Sequence, residues 1–277
     1  MACSGYIGWQ GAASAGGTLP FISGDIRRVT QLFKPNIIGW SNNPAFRSPY
    51  NYAKASSYVE GSFTCEIFGG SYSSIGSLIS ACVNGTEVNL SLSSGGGSGI
   101  SIPGDGICYV SSMTLNGSNG GISKVTFNIL ATDADDGGAG SASLDYESEG
   151  ITEDNNPIPY YNTSFVMTGV DSDMVMEWSL TFSNNPRMIN VLNGESRPIT
   201  IRLGTTSLTG TVSYLTSSVS AIEDGGTLTV DCGPRTLTCP WIVVTGDSKP
   251  SNGQNQIVTR TLSFEGFGSD GQKVLSV

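Results

Sequence analysis

The chain contains no histidine. That removes the commonest general base, the Ser–His and Cys–His nucleophile pairs and the usual zinc ligand. Carboxylate-pair and Ser–Lys chemistry stay open on this ground alone. Basic residues are also scarce: 13 Lys and Arg stand against 23 Asp and Glu, for a net charge of −10. Sequence-general nucleic-acid binding needs clustered Lys and Arg to displace counterions from phosphate, and a negative surface acts on DNA in the opposite sense, by repulsion. Charged residues of both signs make up only 13% of the chain. Disorder usually needs more charge and fewer apolar residues than the 38% found here, so a folded chain is expected. No apolar run reaches membrane-spanning length. The N-terminus, Met1-Ala2-Cys3-Ser4-Gly5, has no basic segment followed by an apolar one, so no signal peptide is expected.

Without a secretion signal, cysteines 3, 65, 82, 108, 232 and 239 are expected as reduced thiols. Cys65 and Cys82 sit within apolar patterns and read as small buried hydrophobes. Cys232 and Cys239 bracket Gly233-Pro234-Arg235 and leave a small disulfide-closed loop open as an alternative. Their spacing fits no zinc motif.

What the chain does have is glycine, 37 of 277 residues, with abundant Ser, Thr and Asn around short runs of β-forming residues. Residues 57–68, 107–115, 124–130, 174–182, 198–203, 208–215, 227–230, 241–244 and 257–264 read as strands bounded by Gly, Asn, Asp or Pro. Helix signals are few. Residues 75–83 are the best, and 186–192 come second, with Asn184 or Asn185 as N-cap and Pro186 in the first turn. Residues 25–33 fit a helix or a strand. The expected class is all-β, with one short helix per repeat.

A repeat is expected because four segments recur in the same order. Residues 49–52 resemble 159–162, 59–68 resemble 174–183, 77–92 resemble 187–203, and 121–134 resemble 256–270. In the third pair, Asn84-Gly85 matches Asn193-Gly194. Residues 217–240 find no counterpart. Between the halves, Asp133, Asp135, Asp136, Asp145, Glu147, Glu149, Glu153 and Asp154 occur without a single base. That stretch reads as an exposed acidic linker or long loop. The resulting division is an N-terminal arm plus first β-domain over 1–136, a linker over 137–156, and a second β-domain over 157–277 with an insertion near 217–240.

Few constellations suggest chemistry. The Asp133–Asp136 cluster offers hard oxygen ligands for Ca²⁺ but lacks EF-hand spacing, and a solvated linker accounts for it more simply. No pair among the acids stands out for glycoside hydrolysis. The Gly-rich run at 93–99, with Gly95, Gly96 and Gly97, has no following Lys-Ser/Thr and is not a phosphate loop. It reads as a hairpin tip that reaches a neighbouring subunit. Trp178 reads as core, whereas Trp9 and Trp40 are open to packing, subunit contact or sugar stacking. The first 55 residues hold Arg27, Arg28, Lys34 and Arg47 among their five bases, against one acid, Asp25. This basic arm and the acidic linker could steer register between copies. No catalytic, metal or cofactor residue is assigned, and no enzyme activity is expected.

The order of strand, short helix ending in Asn-Gly, strand, long hairpin and strand, over 57–130 and 174–266, resembles the tail tube (major tail) proteins of tailed bacteriophages whose tube domain is duplicated in one chain. The resemblance implies two β-sandwich or partial-barrel tube domains in tandem. It implies a virion protein, made in the host cytoplasm, that stacks into a hollow tube. With two domains per chain, three copies would complete a ring of six-domain pseudo-symmetry. Implied partners are copies of the chain, a tape measure protein, a tail terminator, and genomic DNA passing transiently through an acidic lumen, with no membrane. The competing expectation is a virion decoration or adhesin-type β-module that binds carbohydrate.

Overall fold

Alternation of apolar and polar residues turns most of the described residues into strands. The computed structural model describes residues 5–11, 14–33, 53–67, 73–94, 98–102, 106–136, 163–190, 197–216, 222, 224–233, 235–248, 258–269 and 271–277. The first half opens with β1 (Gly5–Gly11), β2 (Ser14–Phe21), β3 (Ser23–Phe33) and β4 (Ala53–Glu66). α1 (Ser73–Asn84) then leads to β5 (Val88–Ser94), β6 (Ser98–Ile102), β7 (Cys108–Ser118), β8 (Lys124–Ala131) and β9 (Asp135–Asp136). The second half holds β10 (Ser164–Met167), a 3-10 turn (Ser172–Met174), β11 (Val175–Ser183), β12 (Arg187–Ile189) and β13 (Thr200–Arg202). It ends with β14 (Ser207–Thr216), β15 (Gly226–Asp231), β16 (Thr236–Ser248) and β17 (Val258–Phe267).

Ten strands form one antiparallel sheet in the order β10-β15-β16-β17-β14-β11-β7-β8-β4-β3. A second sheet runs β2-β1-β5-β6-β9, and β12 pairs with β13 alone. The all-β expectation holds. One face of the large sheet is apolar: β8, for example, buries Val125, Phe127, Ile129 and Ala131 at the period of two that a strand requires. α1 answers with Ile75, Leu78, Ile79 and Cys82, all fully buried at helical spacing. Gly85 stops this helix. Its φ of 65° is left-handed, and Gly85 N–H donates to the Cys82 carbonyl at 3.3 Å while Thr86 N–H donates to Ala81 at 2.9 Å, the paired bonds of a Schellman end. A single apolar cluster, from Val59 to Leu275, spans both halves.

The expected helix in each repeat is corrected. Among the described residues α1 is the one α-helix, and Arg187–Ile189 forms β12. Asn185 takes a φ of 44° and cannot cap a helix from extended backbone. Asn184 is buried and aimed inward. Residues 25–33 are strand throughout, within β3. The two halves contribute to one sheet and one apolar cluster.

Four long strands from each half make the centre of the large sheet: β3-β4-β8-β7 and then β11-β14-β17-β16. Each quartet runs first, second, fourth, third in chain order. In each half a strand ahead of the quartet pairs with one inserted between its second and third members, β1 with β5 and β10 with β15. The inserted strand or its flank then touches the third member, through the Glu87–Tyr109 bridge or the β15–β16 ladder. Only the 121–134 and 256–270 match falls on strands of equal position, β8 and β17. Residues 59–68 lie on β4 and 174–183 on β11, at different places in the order. Residues 77–92 form α1 and β5, whereas 187–189 and 200–202 form a strand pair. Residues 49–52 and 159–162 lie outside the described residues. Residues 217–240, unmatched in sequence, contain β15 in the place β5 holds.

Candidate assembly surfaces

The face of the large sheet turned from the core is rich in hydroxyls and amides, and at one side it also exposes Val166, Trp241 and Phe267. Thr64 and Thr126 Oγ1 atoms meet at 2.9 Å, Thr114 and Thr181 at 3.1 Å, and Ser213 and Thr261 at 2.9 Å. Asn128 donates to Ser112 at 2.8 Å. These bonds run across neighbouring strands and hold short side chains flat against the sheet. By register the same face carries Asp25, Glu60, Glu66, Glu177 and Glu265 against Arg27 and Lys124. Arg27 is neutralised locally, donating to Glu60 at 2.7 and 3.1 Å. Two shallow hollows mark this surface, one lined by Asp25, Glu60, Ser62, Asn128 and Ser183, the other by Thr181, Thr209, Thr211, Ser263 and Glu265. The surface is therefore largely hydroxylated and net acidic.

The edges of the sheet are the second surface. β3 is its last strand on one side. On the other side β15 accompanies β16 only as far as Ile242; from Val243 to Ser248 the ladder of β16 runs, among the described residues, with β17 alone, and Val244 N–H donates to Asp224 at 3.0 Å. Both edges carry charge on the side facing the core. On β16, Asp247 accepts from Arg260 Nε at 2.8 Å and Nη2 at 2.7 Å; this bond raises the pKa of the buried Arg260 further above its ordinary value. On β3, Arg28 donates to the Ala134 carbonyl and lies 3.7 Å from Asp133, which Arg197 also reaches at 3.2 Å.

Arg27 and Arg28 thus sit together on an edge strand, on opposite faces. Asp133, expected in a linker, is half-buried between two arginines. Asp135 and Asp136 form β9 and pair with Ser101 and Ile100 of β6, so neither lies in a linker. Gly95, Gly96 and Gly97 lie outside the described residues, between β5 and β6, whose ladder reaches Ser94–Ser98. Glu147 and Glu149 also lie outside. Among the described residues no group of His, Cys, Asp or Glu gathers to hold a metal ion, and no helix is long and apolar enough to cross a membrane. Cys65, Cys82, Cys108, Cys232 and Cys239 are buried free thiols, so the loop between Cys232 and Cys239 is not bridged. Trp178 is core, stacked on Phe165 with centroids 5.7 Å apart. Trp40 is outside the described residues.

Two features had no signal in the sequence. Asn184 is 2% exposed and donates to the Cys82 carbonyl at 2.7 Å and the Val110 carbonyl at 3.1 Å, tying α1 and β7 to the end of β11. Gly61 and Gly210 lie where strand backbones approach too closely for a side chain.

A family model described as phage tail tube protein matches residues 38–266. The chain belongs to the phage tail tube protein family. No curated protein matches it. As a tail tube protein it is a structural component of a bacteriophage tail.

Proposed function

We propose that this tail tube protein closes into rings that stack into a hollow tube, with the hydroxylated acidic face turned to the lumen and DNA passing through it. The observation that carries this reading is the large sheet, which among the described residues leaves β3 unpaired on one side and Val243–Ser248 of β16 unpaired by β15 on the other, and has one face free of the core. An open edge offers unpaired N–H and C=O groups to another chain, and ring closure satisfies them. The lumen assignment follows from charge: acids outnumber bases on that face, so phosphate finds repulsion and hydroxyl hydration in place of cationic anchors.

The equal strand order of the two halves supports a duplicated unit, 1–136 and 157–277, and three copies per ring. Eight long strands from each of three copies would give about 24 strands. Spaced about 4.8 Å apart and tilted about 40°, they would close at a backbone diameter of roughly 40–50 Å. Side chains and water fill part of that width and leave a channel wide enough for a duplex. In this reading the tape measure occupies the lumen before DNA does, and a terminator caps the last ring. The host cytoplasm is the site of synthesis.

Electron microscopy of the concentrated protein tests the proposal. Tubes whose end-on views show three copies per ring are expected. A chain that stays monomeric at every concentration and salt would overturn it.

A further inference from the structure

The two quartets correspond residue by residue, and this tells which edges meet and in what register. β7 has a bulge between Val110 and Ser112 where it pairs with β8, and β16 has one between Val244 and Gly246 where it pairs with β17. Bulges are built-in irregularities and mark equivalent points. They set Ser112, Met113 and Thr114 against Gly246, Asp247 and Ser248. They also set Thr126 against Thr261 and, through the ladders, Thr64 against Ser213. Those pairs are joined by the same hydroxyl bond, 2.9 Å in each half. The same registers match Gly61 with Gly210 and Asp25 with Ser179. A Cβ on Gly61 would meet the Asp25 carbonyl oxygen, and on Gly210 the Ser179 carbonyl oxygen. Three unrelated local features therefore agree on one superposition.

On that superposition β7 corresponds to β16 and β11 to β3. Inside the chain, β7 and β11 join the halves: Ser112, Met113 and Thr114 face Ser183, Phe182 and Thr181. The equivalents of those two strands are β3, the last strand on one side, and β16, whose residues 243–248 lie beyond the reach of β15 among the described residues. We infer that the edge of β16 pairs with β3 of a second copy of this chain, antiparallel, with Gly246 opposite Val29, Asp247 opposite Arg28 and Ser248 opposite Arg27. The Asn184 N–H to Ser111 carbonyl bond, 2.9 Å within the chain, has its equivalent between Thr30 N–H and the Thr245 carbonyl.

Charge agrees with this register. The internal seam places two buried apolar side chains opposite each other, Met113 and Phe182. The seam between copies places Asp247 opposite Arg28. It would link Arg260, Asp247, Arg28, Asp133 and Arg197 in a row of alternating sign, two members of which already form an ion pair at 2.7 Å in one copy. A charged seam suits edges that must stay soluble until they close, and it rejects slipped registers that would oppose like charges.

The inference rests on the ring reading, and the test separates the two. A Ser248→Cys/Arg27→Cys variant, assembled and mildly oxidised, should give covalent multimers on a non-reducing gel. Ser248→Cys/Arg28→Cys, whose side chains would lie on opposite faces, should give none. Hydrogen exchange on the unaltered protein needs no substitution: amides over 27–30 and 245–248 should slow at least tenfold on assembly. Tubes that form without the cross-link and without that protection would overturn the seam and leave the ring reading intact. Absence of any assembly by the unaltered chain would overturn both.

Discussion

At the residue scale, burial decides behaviour that composition leaves open. Removal from water disfavours thiolate, and Cys65, Cys82 and Cys232 are pushed up to about 12 by it. At pH 8 only about one such thiol in 10⁴ is ionised, so these groups are poor nucleophiles and poor disulfide partners. In a Cys3→Ser variant, a thiol reagent at pH 8 should label the folded protein very slowly and all five remaining thiols rapidly in denaturant. The sign for stability follows from the raised values. The unfolded chain loses its thiol protons near the ordinary value of 9.0 and the folded chain only near 12, so this contribution is complete below about pH 8.5 and declines as pH rises toward 12. Melting temperature should be level from pH 7 to 8.5 and fall above it. Glycine makes a second case. A Cβ at Gly210 would meet the Phe264 ring as well as the Ser179 carbonyl, at 2.8 Å. Gly210→Ala should cost about 1–3 kcal/mol, read from urea denaturation as a lower midpoint with an unchanged slope.

At the scale of elements, the strands were largely legible and their partners were not. The runs at 57–68, 124–130 and 208–215 announce β4, β8 and β14 through alternation, and Asn84-Gly85 announces the end of α1. Residues 186–192 misled because a proline after asparagines imitates a helix start, while the pairing of β12 with β13 is a contact made at a distance. Residues 5–21 were not read as strands, since their glycines mask any period, yet β1 and β2 pair throughout. The edge strand β3 supplies the test for this scale. Thr30 N–H points away from β4 on the superposition of the halves, so Thr30→Pro removes no bond inside the folded copy. Its circular dichroism and urea midpoint should match the unaltered chain, while proline blocks pairing at the edge and tube formation drops at least tenfold by sedimentation.

For the whole molecule, net charge and its placement matter more than any single contact. The −10 of the chain is partly spent on local pairs such as Arg27–Glu60 and Arg260–Asp247. The polar face keeps Glu66, Glu177 and Glu265 to confront a polyanion. Glu66→Lys/Glu177→Lys/Glu265→Lys should still assemble, because none of the three lies on an edge strand. Its tubes should retain duplex DNA at about 50 mM salt and release it by about 200 mM, as counterion release requires, whereas unaltered tubes should retain none. Filter binding across a salt series reads both.

The sequence by itself determined the β class, the polar–apolar alternation that gives the sheet a wet face and a dry one, the acid excess and the absence of histidine chemistry. These are properties of composition and of neighbours within a few residues, and the chain cannot fold without expressing them. Only the tertiary structure decided which strands neighbour one another. The likeness of 59–68 to 174–183 joins β4 and β11, which hold different places in the strand order, because Ser/Thr/Gly-rich segments resemble each other wherever they lie. Strand order, the two matched bulges and the two matched hydroxyl pairs depend on contacts between residues well separated along the chain, as when Ser112 of β7 meets Ser183 of β11. Such contacts arise from the shared core and the ladder geometry, and no local pattern encodes them.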